Sequence, residues 1–192
     1  MDENLVAIRH ERSKKDFPFL KLEEGEYVEF AFSRTKMCLA MISGGVAAGL
    51  ILILLAFLLT LSAQATLDEM GKNFIFIILT CLVATAILIG VVALIVYRGN
   101  KLFITNKHAI QMVMKSPVVT SVNLIDLSSI EDASFHQSGL LQKIFRYGTL
   151  RLSTVGDETT YTFEFCDITP EQLKAISKLI TENKKEAKKN EK

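Results

Sequence analysis

Few side chains in this sequence are of the types and spacings that catalysis or metal binding requires. The three histidines, His10, His108 and His136, are scattered along the chain. His136 and Cys166 could meet after folding, but two ligands are too few for a metal site, and a surface histidine is the better interpretation. No phosphate-binding loop, nucleophile elbow or paired-cysteine spacing is present. The sequence therefore predicts a protein that is not an enzyme and binds no cofactor or metal.

The charged residues also form no obvious reaction or nucleic-acid site. Asp126, Glu131 and Asp132 lie close together in a region with a strand-like pattern, where carboxylates usually face solvent rather than act as an acid and a base. The 192 residues carry a formal net charge of +1. A nucleic-acid-binding protein would need a strongly basic surface, which this balance excludes.

Two uncharged apolar runs, 37–63 and 74–97, dominate the chain. Each has about 24 to 27 residues, and a helix needs about 20 to cross the hydrocarbon layer of a membrane. A pair of buried helices in a soluble core is the alternative, but a soluble helix has a polar stripe on its wet face, and neither run has one. The pattern predicts a transmembrane hairpin with an external loop at 64–73.

Basic residues next to the two runs indicate which side of the membrane the rest of the chain occupies. This membrane-proximal basic group comprises Arg34, Lys36, Arg98 and Lys101. The predicted loop instead carries Asp68 and Glu69 against Lys72. Because cytoplasmic flanks are enriched in Lys and Arg, we expect both termini in the cytoplasm.

Small residues recur at four-residue steps within both runs, at Gly45 and Gly49 and again at Ala86 and Gly90. Such residues allow helix backbones to approach closely in lipid. Either these faces pack the hairpin against itself, or the first face builds a dimer or a larger ring. Neither run contains an ionisable residue of the kind that a transporter or proton relay uses, which disfavours transport.

Alternating polar and apolar residues predict strands on both sides of the hairpin. One strand is expected at 26–32, after a polar, mobile segment at 1–16. The others are expected at 101–105, 108–114, 118–124, 128–135, 149–155 and 159–165. Asn106-Lys107 and Gly156-Asp157 are predicted as turns, and Asn at position 106 tolerates the positive φ that such a two-residue connection uses.

Two helices are predicted within this part of the chain. Thr169, Pro170 and Gln172 are typical of a capping box, which starts a helix that we expect to end at Asn183, before a Lys-rich tail at 184–192. Residues 137–148 predict a short amphipathic helix ended by Gly148. Its apolar residues are Leu140, Leu141, Ile144 and Phe145, and its basic residues are Lys143 and Arg146. This segment either plugs an open end of the sheet or meets lipid or another subunit.

The sequence after the hairpin resembles the bacterial PH-like domain family in three stretches: FITNKHAIQM, LIDLSSIEDASFHQSGLLQKIFRYGTLRLST and FCDITPEQLKAI. The Glu24-Gly25-Glu26 step before the first run resembles the usual leading segment of that family. The resemblance implies a membrane protein of the α+β class. Its two spans would come before a bent antiparallel sheet or barrel, at 98–183, capped by the C-terminal helix. It implies no catalytic residues.

Two functions remain open at this point. The first is a non-enzymatic module, anchored in the bacterial inner membrane, that binds an unidentified protein or copies of itself through a surface or an exposed sheet edge. The alternative is a sensor of anionic membrane lipids, which would use the membrane-proximal basic group and residues 137–148. Lys107 is a further candidate for contact with lipid or a partner.

Overall fold

The structure is a computed structural model that describes residues 3–62, 69–154 and 160–190. The chain divides into two units. The strand unit combines Met1–Thr35 with Arg98–Lys192, and the helix unit is Lys36–Tyr97. The predicted turn at Gly156-Asp157 and the first half of the predicted loop at 64–73 lie outside the described residues.

The elements follow one another along the chain in this order: α1 (Glu3–Asp16), β1 (Val28–Ser33), α2 (Lys36–Ser62), α3 (Glu69–Gly99), β2 (Lys101–Thr105), β3 (His108–Ser116), β4 (Val119–Asp126), a 3₁₀ turn (Leu127–Ser129), β5 (Ile130–His136), α4 (Leu140–Ile144), β6 (Gly148–Thr154), β7 (Thr160–Cys166) and α5 (Pro170–Asn190).

The helix unit consists of α2 and α3. By length and composition alone, both helices are able to cross a membrane. Helix α3 begins at Glu69, within the predicted loop, and the Glu69 carboxylate lies 3.1 Å from the Lys72 ammonium in its first turn. An acidic residue at this position interacts favourably with the helix dipole, which explains the earlier start.

The small residues of the two long helices differ in their surroundings. A Cβ atom on Gly90 would lie 3.1 Å from Val46 Cγ2, so α3 approaches α2 closely there. Ala86, one turn earlier, is half-buried. A Cβ atom on Gly45 or Gly49, by contrast, would meet no neighbour within 4 Å among the described residues, apart from the backbone of α2 itself. Within one chain, therefore, Gly90 packs the two helices together and the Gly45–Gly49 face does not.

The first sheet of the strand unit has the order β1-β2-β3-β4, with every neighbouring pair antiparallel. Strand β1 pairs with β2, and Phe32 lies opposite Leu102. The strand that precedes α2 and the strand that follows α3 are therefore neighbours, a point that the sequence left open.

The turn between β2 and β3 lies at Asn106-Lys107, as predicted. Among the described non-glycine residues only Arg146 and Phe165 have positive φ, so this turn does not use the positive φ that Asn106 tolerates. The Asn106 side chain instead contacts the segment that leads into β1. Asn106 Oδ1 accepts a hydrogen bond from the Tyr27 amide at 2.9 Å, and its Nδ2 donates to the Gly25 carbonyl at 3.2 Å.

The second sheet has the order β5-β6-β7. The 3₁₀ turn separates it from β4, and Asp126 Oδ1 caps that turn by accepting from the Ser128 amide at 2.8 Å. The two sheets are hydrogen-bonded separately, so the expected bent antiparallel arrangement is present but the barrel is not closed. The Gln111 side chain crosses between them and donates to the Thr162 carbonyl at 2.7 Å.

The core of the strand unit is enclosed by the two sheets and α5. Its most deeply buried aliphatic residues are Leu102, Ile104, Leu127, Ile130, Leu150 and Ile176. Burial of each such side chain stabilises the fold by about 1.5–3 kcal/mol. The predicted capping box is present, because Thr169 Oγ1 accepts from the Gln172 amide at 3.2 Å and Gln172 Oε1 accepts from the Thr169 amide at 3.0 Å.

Two predictions about the ends of the chain are wrong. Helix α5 continues through the expected tail to Asn190, because Lys, Glu and Ala favour helix and Lys184 donates to the Glu131 carbonyl at 3.2 Å. The N-terminal segment, expected to be mobile, forms α1. Arg9 lies 2.9 Å from Glu29, and Ser13 Oγ accepts from the Val28 amide at 3.0 Å, so α1 is bound to β1.

Gly148 is required where β6 begins, and we expect Gly148→Ala to destabilise the strand unit by about 1–3 kcal/mol. A Cβ atom there would lie 2.6 Å from the His136 carbonyl oxygen, a backbone atom that cannot move aside easily. Urea unfolding of the full chain in detergent, followed by tyrosine fluorescence, measures the change, since the chain has four tyrosines and no tryptophan. Ser134→Ala, on the exposed side of β5, is the matched control. A Gly148→Ala protein as stable as this control would contradict the requirement for glycine at position 148.

Candidate functional site

Residues 137–147, which we call the α4 loop, form an exposed apolar segment of the strand unit. The side chains of Leu140, Leu141, Ile144 and Phe145 are between 49% and 79% exposed. They do not fill an end of the sheet, which was one of the two predicted roles. Lys143 and Arg146, also exposed, lie among them. The loop therefore presents an apolar surface with two cations to its surroundings.

The α4 loop has a defined backbone shape. Gln137 Nε2 donates to the Tyr147 carbonyl at 3.1 Å, which ties the two ends of the loop together. Gly139 precedes α4 with a φ of 91°. Arg146, and not Gly148 as predicted, takes the left-handed conformation that ends the helix, with a φ of 52°. A glycine normally occupies such a position, because a side chain there is strained.

Contacts around Phe165 place the α4 loop near the residues that lead into α2. Tyr147 stacks on the Phe165 ring, with 5.4 Å between centroids, and the Arg34 guanidinium lies 6.0 Å from that ring. The Thr35 amide donates to the Phe165 carbonyl at 2.7 Å. Phe165 is the extra residue of a bulge in β7 and has a φ of 57°, an unusual conformation for an aromatic residue. The bulge turns its carbonyl towards Thr35.

The basic residues that the sequence grouped together occupy different places. Arg34 lies over Phe165, and Lys101 Nζ lies 5.1 Å from the centre of the Phe19 ring. Lys36 begins α2, and Arg98 lies in the last turn of α3. Lys107 is at the opposite end of β2 from Lys101 and lies 3.3 Å from the Glu23 carboxylate. Lys107 therefore does not share a surface with the α4 loop.

A buried polar cluster that the sequence analysis missed surrounds Glu26, whose exposure is 1%. Glu26 Oε1 accepts from Thr105 Oγ1 at 2.6 Å and from His108 Nδ1 at 3.0 Å, and Oε2 accepts from the Glu23 amide at 2.9 Å. His10 Nδ1 donates to the Glu26 carbonyl. The cluster fastens α1 and the segment before β1 to the turn between β2 and β3.

Burial by itself would raise the pKa of Glu26. The hydrogen bonds from Thr105, the Glu23 amide and His108, together with the charge of His108, outweigh burial, so the pKa of Glu26 lies below its ordinary value of 4.5. The carboxylate is therefore ionised at neutral pH and holds its donors in place. The signal that could have revealed this cluster is the Glu24-Gly25-Glu26 step together with Thr105, both of which carry the family resemblance.

The other candidate residues for chemistry are not assembled into a reaction site. Asp126, Glu131 and Asp132 are exposed. Among the described residues, no three His, Cys, Asp or Glu side chains are placed to hold a metal ion. Cys166 is fully buried, and burial raises its pKa to about 11, so its thiol is neither a nucleophile nor a metal ligand at neutral pH.

We expect Glu26→Gln to lower the free energy of unfolding at pH 7 by about 1–3 kcal/mol, because a neutral amide replaces the acceptor of several buried donors. The stabilisation from the ionised carboxylate is present above about pH 4.5 and is lost as the pH falls through the lowered pKa of Glu26. The difference between the two proteins should therefore shrink below pH 4.5. Urea unfolding at several pH values measures it, and Glu24→Gln, at the exposed neighbouring residue, should have no effect. A constant difference at all pH values would refute the role of Glu26.

Comparison with known proteins gives one family match. Residues 31–184 match the bacterial PH domain family. No curated protein matches the chain. One solved structure that matches is a DUF1696 family protein with a pleckstrin-homology domain from Shewanella loihica, with 17% identity over 44% of this chain and 70% of that one, and a TM-score of 0.33.

The family match covers most of the chain and includes the second half of β1, both long helices and the other strands of the two sheets. It confirms the resemblance noted from the sequence. Domains of this family are in general non-catalytic, and PH domains in general bind lipids or proteins. This chain belongs to the bacterial PH domain family.

Proposed function

We propose that this protein is a non-enzymatic PH module, anchored in the bacterial inner membrane by α2 and α3, that binds a protein partner or further copies of itself at the cytoplasmic face. The pairing of β1 with β2 supports the anchor most directly. Each of these neighbouring strands continues into one of the two long apolar helices. Both helices therefore connect to the same end of the first sheet, as the two arms of a transmembrane hairpin would.

The charges at the ends of the helices support cytoplasmic termini. Lys36 begins α2 and Arg98 lies in the last turn of α3, whereas Glu69 lies at the other end of α3. Cationic residues concentrate on the cytoplasmic side of membrane spans. This arrangement favours the strand unit inside the cell and the connection between the helices outside.

A cysteine-labelling experiment tests this topology. Cys166 is unsuitable as a reporter because it is buried and has a raised pKa. With the native cysteines replaced, we expect Met70→Cys, at the start of α3, to react with an impermeant maleimide in intact cells. Lys174→Cys, on the exposed side of α5, should react only after the cells are opened. Labelling of Lys174→Cys in intact cells, or recovery of the protein from the soluble fraction, would rule out the proposed anchor.

The outer edge of β4 supports binding to a protein. Among the described residues β4 pairs only with β3, and Val122 and Leu124 on β4 are exposed. An unpaired edge with apolar side chains can accept a strand from another chain. The Gly45–Gly49 face of α2, which packs against nothing else in the described part of this chain, supports contacts between copies.

Photo-crosslinking in native membranes tests the β4 edge. A photoreactive residue in place of Val122 should give a discrete adduct, either with a second copy or with one partner protein. The same residue in place of Lys178, on the exposed side of α5, serves as the control and should give none. If the Val122 variant gives uncrosslinked monomer and no adduct, the result would argue against an interaction module of this kind.

Anionic-lipid sensing remains the second candidate, and the exposure of the α4 loop favours it. The membrane-proximal basic group supports it less, since Arg34 and Lys101 already lie over aromatic rings within the strand unit.

A further inference from the structure

We propose that the strand unit rests on an anionic lipid surface through two apolar projections, the α4 loop and the β3–β4 tip, by which we mean residues 115–119. The proposal depends on the membrane anchor described above. The proposal goes beyond the anchor because it assigns a lipid-facing end to the strand unit. It also adds the β3–β4 tip, which the sequence did not single out.

One end of the first sheet is connected directly to both long helices. Strand β1 ends at Ser33, just before α2 starts at Lys36, and β2 starts at Lys101, directly after α3 ends at Gly99. We call this the attached end. If α2 and α3 are embedded in lipid, these short connections of one or two residues keep the attached end within a few residues of the membrane surface.

The β3–β4 tip extends past the attached end of β2. Lys101, the first residue of β2, lies opposite Met112, but the pairing of β3 with β4 continues to Met114 opposite Thr120 and Ser116 opposite Val119. At about 3.3 Å per residue, the tip projects about 10–15 Å beyond β2. Val118, at its apex, is 92% exposed. The tip therefore projects beyond the end of β2 at which the chain arrives from α3.

The base of the tip is held firmly. Asn100 Nδ2 donates to the Met114 carbonyl at 3.1 Å, and Asn100 Oδ1 accepts from the Met114 amide at 3.3 Å. These two bonds continue the pairing between β2 and β3 with a side chain in place of a strand. The exposed valine is consequently carried on a defined, hydrogen-bonded hairpin.

The α4 loop emerges at the same end of the strand unit. It joins the end of β5 to the start of β6, and Gly148 at that start lies opposite Cys166 at the end of β7. The Thr35 amide, one residue before α2, bonds to the neighbouring Phe165 carbonyl at 2.7 Å. The exposed leucines, isoleucine and phenylalanine of the α4 loop are thus close in the fold to the chain that enters α2.

The composition of both projections fits a lipid surface with negative charge. Neither residues 137–147 nor residues 115–119 contain an acidic residue. Each carries exposed cations, Lys143 and Arg146 in the α4 loop and Lys115 in the tip. Apolar side chains flanked by Lys and Arg are typical of segments that lie in the interface of a membrane, where the apolar groups enter the acyl boundary and the cations meet headgroups.

Tryptophan fluorescence tests the proposal, because the chain contains no tryptophan. Val118→Trp, Phe145→Trp and Ile8→Trp each introduce a single reporter at an exposed apolar position of the full chain. Ile8 is the matched control, since it lies on α1, whose His10 bonds to Glu26 near the opposite end of the first sheet. The proteins are reconstituted in vesicles of phosphatidylcholine with phosphatidylglycerol, with and without brominated acyl chains.

We expect tryptophan emission from positions 118 and 145 to lie at shorter wavelengths than emission from position 8, and to be quenched by brominated lipid far more strongly. Equal, weak quenching at all three positions would overturn the proposal and leave these surfaces to a protein partner. Quenching that is equally strong in vesicles of phosphatidylcholine alone would overturn the part that requires negative charge. Flotation of the same proteins with the vesicles reports anchoring separately, so a failure of the anchor is distinguishable from a failure of the two projections.

Discussion

The antiparallel pairing of β1 with β2 is the constraint on which the rest of the structure depends. It joins strands that are separated in the sequence by both long apolar helices, and it places Phe32 opposite Leu102 within the core. Closing so long a loop costs entropy, although the cost grows only slowly with loop length. A hairpin of two helices lowers it further by bringing its own ends together. The pair of long helices and the sheet therefore stabilise each other.

The Glu26 cluster reinforces the same junction at its other end. Thr105 and His108 belong to the turn between β2 and β3, and Glu26 belongs to the segment before β1. An ionised carboxylate buried in this way is stable only when its donors are in place, because its burial is otherwise costly. The cluster thus specifies one register for β1. Apolar contacts alone would more easily tolerate a shift in the pairing of β1 with β2.

Much of the strand unit could be predicted from the sequence because each strand contains its own signal. Alternation identified β2, β3 and β7, and the capping box identified the start of α5. The failures have physical causes. Helix α1 is polar and is stabilised by contacts with β1, such as that of Arg9 with Glu29, which leave no periodic pattern. The Glu26 cluster joins residues 79 positions apart, so no local periodicity marks the pair, and only the family resemblance at both positions could have pointed to it. Exposure of the α4 loop depends on where the sheets end, which its own amphipathic sequence does not reveal.

The position of β1 ahead of the helices has a consequence for biosynthesis. The ribosome releases β1 first, and its partner β2 follows only after about 70 further residues. At a synthesis rate of about 5–20 residues per second, β1 lacks its partner strand for several seconds, and Phe30 and Phe32 lack the contacts that β2 provides. The sheet is completed only after the second helix has left the ribosome. A chain that stalls earlier displays an open apolar strand, a feature by which quality-control proteases could distinguish it from a finished molecule.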